Sequence, residues 1–293
     1  MIKWAQITVE TSEESSGAIE NYLFDQKTAG VEIKTDPDKQ NQTTLIAYFP
    51  VSDLVGARVI NLRNFIKKLP SFGLSAENTE VHLRSVPNEN WSENWRSAFP
   101  PQTIGERIII APTWHRVETS NDEVLIRLNP GMAFGTGHHP TTQLSILLLE
   151  EVVKSGETVA DIGTGSGILA IVAAKLGAQK IYAVDLDKKA VEIAEENCGH
   201  NSVEDIIDVK QMDRFSELNQ KFNLIVANIL TKVILPMIPQ APKYLKSGGH
   251  LILSGIMENE IYKVKTELIS NKFECLKTRQ HNEWFAILAR LQK

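Results

Sequence analysis

The stretch Val159-Ala160-Asp161-Ile162-Gly163-Thr164-Gly165-Ser166-Gly167-Ile168-Leu169-Ala170 constrains the fold more than any other. An apolar run ends at an acid, three glycines alternate with Thr164 and Ser166, and an apolar segment follows at once, which reads as strand, tight turn and helix. Glycines let backbone N–H groups approach a ligand with no Cβ in the way. The helix that begins there points its positive end at an anionic group held in the turn. Lys180-Ile181-Tyr182-Ala183-Val184-Asp185 reads as the next strand and ends at an acid 22 residues beyond Gly163. A carboxylate at that place can accept both hydroxyls of a ribose.

The glycine spacing separates two ligand classes. A dinucleotide fingerprint runs Gly-x-Gly-x-x-Gly, its third glycine allowing helix and strand to pack closely. Here Gly167 comes one residue early and Ile168 holds the dinucleotide position, which disfavours a nicotinamide-linked oxidoreductase. Gly-x-Gly-x-Gly after an acid-ended strand resembles the first motif of the doubly wound S-adenosylmethionine-dependent methyltransferases. That resemblance implies S-adenosyl-L-methionine as cofactor, with a ribose, an adenine and a methionyl carboxylate in place of a phosphate. A glycine turn in an ordinary parallel sheet is the plain alternative. Asp161 and Asp185 at their strand ends weigh against it and against a non-catalytic binding module.

The 293 residues suit two domains, each with its own core. With 42% apolar and 23% charged residues and no apolar run of about 18, a membrane span is not expected. The start, Met1-Ile2-Lys3-Trp4-Ala5-Gln6, lacks the features of a secretory signal, so a cytoplasmic protein is expected. Cys198 and Cys275 are far apart and form no Cys-x-x-Cys, so neither disulfide framework nor zinc site is expected. A net charge of -5 gives no basic footprint for direct nucleic-acid binding.

Along the chain, residues 2–10 alternate as a strand, and Thr11-Ser12-Glu13-Glu14 opens a helix to about Thr28. Gly30–Thr35 and Thr44–Phe49 are strands across a polar turn at 36–41, a helix spans Asp53–Leu69, and Glu80–Val86 is a further strand. The order β-α-β-β-α-β is that of a ferredoxin-like unit. It carries 10 Lys and Arg against 13 Asp and Glu over residues 1–100 and no cluster of catalytic residue types, so recognition or packing is its expected role. Asn88 to Arg96 reads as a short helical connector with Trp91 and Trp95 sharing a face.

Strands follow at Arg107–Ala111 and Glu123–Leu128, then a glycine-rich loop from Asn129 to Thr142, in which Thr141 or Thr142 is expected to cap the next helix. Its adjacent histidines, His138 and His139, point different ways and lack a third ligand in sequence, so no metal is expected. Beyond the glycine turn come a helix at Asp187–Asn197, strands at Ile206–Lys210 and Phe222–Ala227, and a helix from Val233 to Leu245. A strand at His250–Ser254, a helix at Asn259–Ser270 and a closing hairpin from Phe273 to Ala289 complete the chain. Strands alternating with helices imply a mostly parallel sheet. The expected fold is therefore α/β, a doubly wound, mostly parallel seven-stranded, Rossmann-like sheet with a smaller N-terminal α+β ferredoxin-like domain. Expected boundaries are 1–86 for substrate recognition, 87–104 for a helical linker and 105–293 for methyl transfer.

Several stretches together resemble the PrmA family, which methylates the eleventh protein of the large ribosomal subunit. They are Trp91–Trp95 with Phe99-Pro100, Ile104-Gly105-Glu106-Arg107, Pro112-Thr113-Trp114, Asn129-Pro130-Gly131 through Thr142, Asp161–Leu169, Asn228-Ile229-Leu230 and Ser254-Gly255-Ile256. The resemblance implies transfer of methyl groups from S-adenosylmethionine to amino groups of that ribosomal protein, lysine side chains or the N-terminal amine or both. It also implies a substrate held by the N-terminal domain; a monomer is expected. The family's cofactor contacts fall on Thr142, Gly163, Asp185 and Asn228. Gly165 shares the turn, and Phe134 is read as stacking on the cofactor or anchoring its loop. Asn228 is further expected to orient the target amine, and His138 and His139 are weighed as proton relays. The alternative is a methyltransferase of the same class acting on a different protein or on RNA. For RNA, Ile229 and Leu230 offer no aromatic surface to stack a flipped base.

Overall fold

The computed structural model describes residues 4–26, 28, 30–35, 42–50, 55–86, 99–129, 137–216 and 218–292. They form two compact units that divide between Pro100 and Pro101. The expected polar turn at 36–41, the connector carrying Trp91 and Trp95, and Phe134 lie outside the described residues.

The first unit contains β1 (Trp4–Ser12), α1 (Glu13–Asp25), β2 (Val31–Thr35), β3 (Gln42–Pro50), α2 (Val55–Ile66) and β4 (Glu80–Val86). Its strands form an antiparallel sheet in the order β2-β3-β1-β4, as the β-α-β-β-α-β reading requires. Ser12 caps α1, accepting the Ser15 N–H at 3.3 Å, with Glu13 and Glu14 in the first turn where the helix dipole favours them. Ile7, Val9, Leu45, Ala47 and Phe49 from the strands meet Ile19, Leu23, Val59, Leu62 and Ile66 from the helices in one core. The second helix stops at Ile66, short of the expected Leu69, and Pro70 sits near the start of a separate 3-10 turn (Leu69–Phe72) that ends on left-handed Gly73.

The second unit opens with β5 (Gln102–Ile104), β6 (Ile108–Pro112) and β7 (Val124–Leu128), a three-stranded sheet in that order. Then come α3 (Pro140–Val152), β8 (Thr158–Ile162), α4 (Ile168–Lys175), β9 (Lys180–Asp185), α5 (Lys188–His200), β10 (Ile207–Gln211) and β11 (Phe222–Asn228). The chain finishes with α6 (Thr231–Met237), α7 (Ala241–Tyr244), β12 (Leu245–Met257), α8 (Ile261–Ser270), β13 (Phe273–His281) and β14 (Trp284–Leu291). The main sheet has seven strands in the order β10-β9-β8-β11-β12-β14-β13. Its first five are parallel, while β14 runs antiparallel to β12 and β13. The closing hairpin therefore does not simply extend the edge: its last strand inserts beside β12 and β13 takes the rim.

Two core clusters cover the two faces of this sheet. In β8, Val159 belongs to one, Ala160 and Ile162 to the other. Burial on both faces is what a parallel sheet needs and explains why its strands read as continuous apolar runs. Every residue of α4 except Lys175 is buried, which its unbroken apolar sequence already dictates. The helix expected from Val233 to Leu245 is instead two short ones, with Pro236 inside the first and Pro242 at the start of the second. A proline lacks the N–H and crowds the preceding turn, and two of them within seven residues favour a break over one continuous helix.

Candidate active site

The glycine corner forms where β8 runs out. The N–H groups of Gly163 and Thr164 both donate to Val184 O in β9, at 2.8 and 3.0 Å, and the Gly167 N–H donates to Thr164 O at 2.9 Å. Gly163, Gly165 and Gly167 have φ of 75°, 55° and 82°, the left-handed region that costs a side chain about 1–2 kcal/mol. At Gly163 a Cβ would also collide with Ile229 Cγ2.

Two acids meet this turn. Asp161, fully buried, accepts from the Thr164 hydroxyl at 2.7 Å and the Ala170 N–H at 3.1 Å, both on Oδ2. Its Oδ1 is buried without a partner among the described residues. Burial pushes this carboxyl up to about 7, helped by the nearby Asp185 charge and opposed by the two hydrogen bonds. Asp185 accepts the Gly165 N–H on Oδ2 at 2.9 Å and the Asp187 N–H on Oδ1 at 3.0 Å. A carboxylate offers about four lone-pair sites, so each oxygen keeps one for a further donor.

The next strand end brings two expected site residues together. Asn228, the last residue of β11, donates from Nδ2 to the hydroxyl of Thr142 at 3.3 Å. Thr142 is fully buried in the first turn of α3. With Nδ2 engaged, Oδ1 is the end of the amide that can accept another N–H. Ser254, paired with Asn228 across β11 and β12, donates to Thr141 O at 2.9 Å and so fastens the same helix turn. Ser145 donates to that carbonyl as well, at 2.8 Å. Sequence reasoning noticed Ser254 only as part of a motif, because an anchoring role across 113 residues leaves no local trace.

The expected cap at Thr141 or Thr142 is corrected: His139 caps α3, its Nδ1 accepting the Thr141 N–H at 3.3 Å, and Pro140 follows at the first helical position. The His139 ring meets Trp284 edge-on at 5.0 Å. Burial, reinforced by His281 nearby, pulls its pKa down to about 4. It is therefore neutral at pH 7, with Nδ1 engaged as the helix cap. Burial lowers His138 too. Among the described residues no group of three or more His, Cys, Asp or Glu could hold a metal ion, and no helix is long and apolar enough to cross a membrane.

The donors and acceptors of this corner fit S-adenosylmethionine. Asp185 has acceptor capacity for the two ribose hydroxyls, and the buried Asp161 Oδ1 next to the same turn has no partner among the described residues. The seven-stranded order and the glycine turn at the end of β8 define the class: an S-adenosylmethionine-dependent methyltransferase built on a Rossmann-like sheet.

The family model described as ribosomal protein L11 methyltransferase (PrmA) matches residues 3–292. The ribosomal protein L11 methyltransferase of Anoxybacillus flavithermus is 37% identical over 99% of this chain and 100% of that protein. The protein of the same name from Alkaliphilus metalliredigens is 35% identical, covering 99% and 98%. The crystal structure of ribosomal protein L11 methylase from Lactobacillus delbrueckii subsp. bulgaricus is similar with a TM-score of 0.63 at 35% identity, over 67% of this chain and 100% of that one. The chain belongs to the PrmA family of ribosomal protein methyltransferases.

Proposed function

We propose that this enzyme methylates amino groups of the eleventh large-subunit ribosomal protein, lysine side chains or the N-terminal amine or both, and that Asn228 orients the accepting amine. The observation that carries the reading is the Asn228–Thr142 hydrogen bond, which turns Oδ1 into the available acceptor at a strand end next to the glycine corner. S-adenosylmethionine would supply a methyl group from its sulfonium, whose sulfur departs with the bonding pair as a neutral thioether and needs no acid assistance. The work left to the chain is placement and exclusion of water. In this reading Asp185 holds the ribose, Gly163, Gly165 and Thr142 line the cofactor, and Phe134 contacts it. Asn228 accepts an N–H of the substrate amine and aims its lone pair. An ordinary lysine amine with a pKa of about 10.4, or an α-amine near 7.7–8.0, must shed a proton before it can attack.

Residues 1–86 hold the protein substrate, 87–104 link, and 105–293 carry out the transfer, in a monomer working in the cytoplasm. What supports this division is that the acids, glycine turn and strand-end amide all lie beyond residue 104. The test is incubation with isotopically labelled cofactor and total ribosomal proteins and RNA, followed by mass spectrometry. Label on amines of the eleventh large-subunit protein is expected; label on RNA or on another protein instead would overturn the substrate assignment.

A further inference from the structure

Strand β7 is the edge of its three-stranded sheet. Its even-numbered residues face β6: the Val124 N–H donates to Arg107 O at 2.8 Å, and Leu128 O accepts the Thr113 N–H at 3.0 Å. The odd-numbered backbone groups turn the other way and need partners. Helix α5 and its C-cap Asn201 provide them for Arg127 and Asn129. Asn201 accepts the Arg127 N–H at 2.8 Å and donates to Arg127 O at 2.6 Å, as a neighbouring strand would. Four residues earlier on the same face, Asn197 accepts the Asn129 N–H on Oδ1 at 3.1 Å.

The two asparagines differ in what else they hold. Asn201, the C-cap of α5, donates its second bond back to Asn197 O in the last turn, at 2.7 Å. Asn197, fully buried, donates from Nδ2 to Ser166 O at 2.8 Å, inside the glycine turn. Ala194, one turn before Cys198 on this face, lies 3.2 Å from where a Cβ on Gly167 would be, so α5 is packed directly on that turn. A buried amide satisfied at both ends is stiff, and removing it orphans a carbonyl and an N–H at once.

We propose that Asn197 is a positioning residue for the cofactor corner: one side-chain amide fixes the Ser166 carbonyl and the Asn129 N–H together, so the glycine turn is held in register with the end of β7. The inference rests on the methyltransferase reading of that corner. The Ser166 carbonyl shares its peptide plane with the Gly167 N–H, which donates to Thr164 O and stands just before α4, and it lies one residue from the Gly165 N–H that meets Asp185.

The test compares Asn197→Ala and the isosteric Asn197→Asp with Asn201→Ala in the full-length protein. Wild type is first titrated with S-adenosylmethionine by calorimetry; a wild type that does not bind would sink the reading of the corner itself, separately from Asn197. Given binding, both Asn197 variants are expected to weaken the cofactor about tenfold or more and to raise its KM, leaving the KM for the ribosomal protein unchanged. Asn201→Ala is expected to lower Tm at least as much while keeping cofactor affinity within about twofold of wild type. Asn197 variants that bind as wild type does, or an Asn201 variant that loses affinity equally, overturn the proposal. Should the Asn197 variants fail to fold, hydrogen exchange on wild type decides: saturating cofactor should slow exchange of the Asn129 amide along with those of 163–170, and an unchanged Asn129 amide overturns it.

Discussion

The two units solve the same packing problem with different strand directions, and the glycine corner forms in the one whose central strands are parallel. In the first, neighbouring strands are antiparallel, so each end of the sheet mixes carboxyl and amino ends. Both helices bury Ile19, Leu23, Val59 and Leu62 against the inner face, leaving Gln6, Thr8, Glu10 and Thr44 on the other. In the second, β8, β9, β10, β11 and β12 all run the same way. Their carboxyl ends gather Asp161, Asp185, Asn228 and Ser254 on one rim, and helix N-termini arrive at the same rim. Convergence there follows from topology before any particular side chain is chosen.

The sharpest way to break this contrast is at Asn228. Asn228→Ala should lower the single-turnover methylation rate at saturating cofactor by about 10²–10³-fold, the scale for losing one aimed polar contact at a reacting centre. A rate within a few-fold of wild type would move the chemistry off that strand end. A smaller effect comes from matched glycines. Gly163 and Gly73 have nearly the same φ, 75° and 78°, but a Cβ at Gly73 meets nothing within 4 Å whereas one at Gly163 collides with Ile229. Gly73→Ala should cost about 1 kcal/mol from conformation alone, and Gly163→Ala about 3 kcal/mol with the added overpacking. Denaturant titration measures both. Ile229→Ala in the Gly163→Ala background should recover part of the loss, and equal costs at the two glycines would deny the corner its special tightness.

What could be read from the sequence follows the range of the interaction. The turn at Gly163–Gly167 and the acids at 161 and 185 are local, and spacing alone placed them on strand ends. Alternation and 3.6-residue periodicity likewise marked the first unit's elements to within a few residues. The insertion of β14 between β12 and β13 was not visible, because periodicity says that a segment is a strand and not which neighbour it takes. The cap on α3 was assigned to the residue types that usually serve, Thr141 and Thr142, and a buried histidine took the place. Asn197 and Asn201 look like ordinary members of an amphipathic helix; only the missing partner strand of β7 gives their amides work.

The smallest expected effect compares one buried acid from each unit. Glu20 in α1 and Asp161 at the end of β8 are both buried, and burial pushes each up to about 7 from ordinary values of 4.5 and 3.8. In both cases the folded state holds the proton more tightly than the unfolded chain. The stabilising contribution is therefore complete below about pH 4 and is lost as pH rises through about 7. Measured as urea midpoints between pH 5 and 7, stability should fall with pH by up to about 1 kcal/mol per unit for each acid. Glu20→Gln and Asp161→Asn should each flatten their share. Cofactor then separates the pair: only Asp161 has an unused buried oxygen at the glycine corner. Saturating S-adenosylmethionine should change the slope that Asp161→Asn removes and leave the slope that Glu20→Gln removes untouched. If both slopes respond, or neither does, the cofactor's charged end is not beside Asp161, and the contrast between the acid of the glycine corner and the acid in α1 loses its electrostatic half.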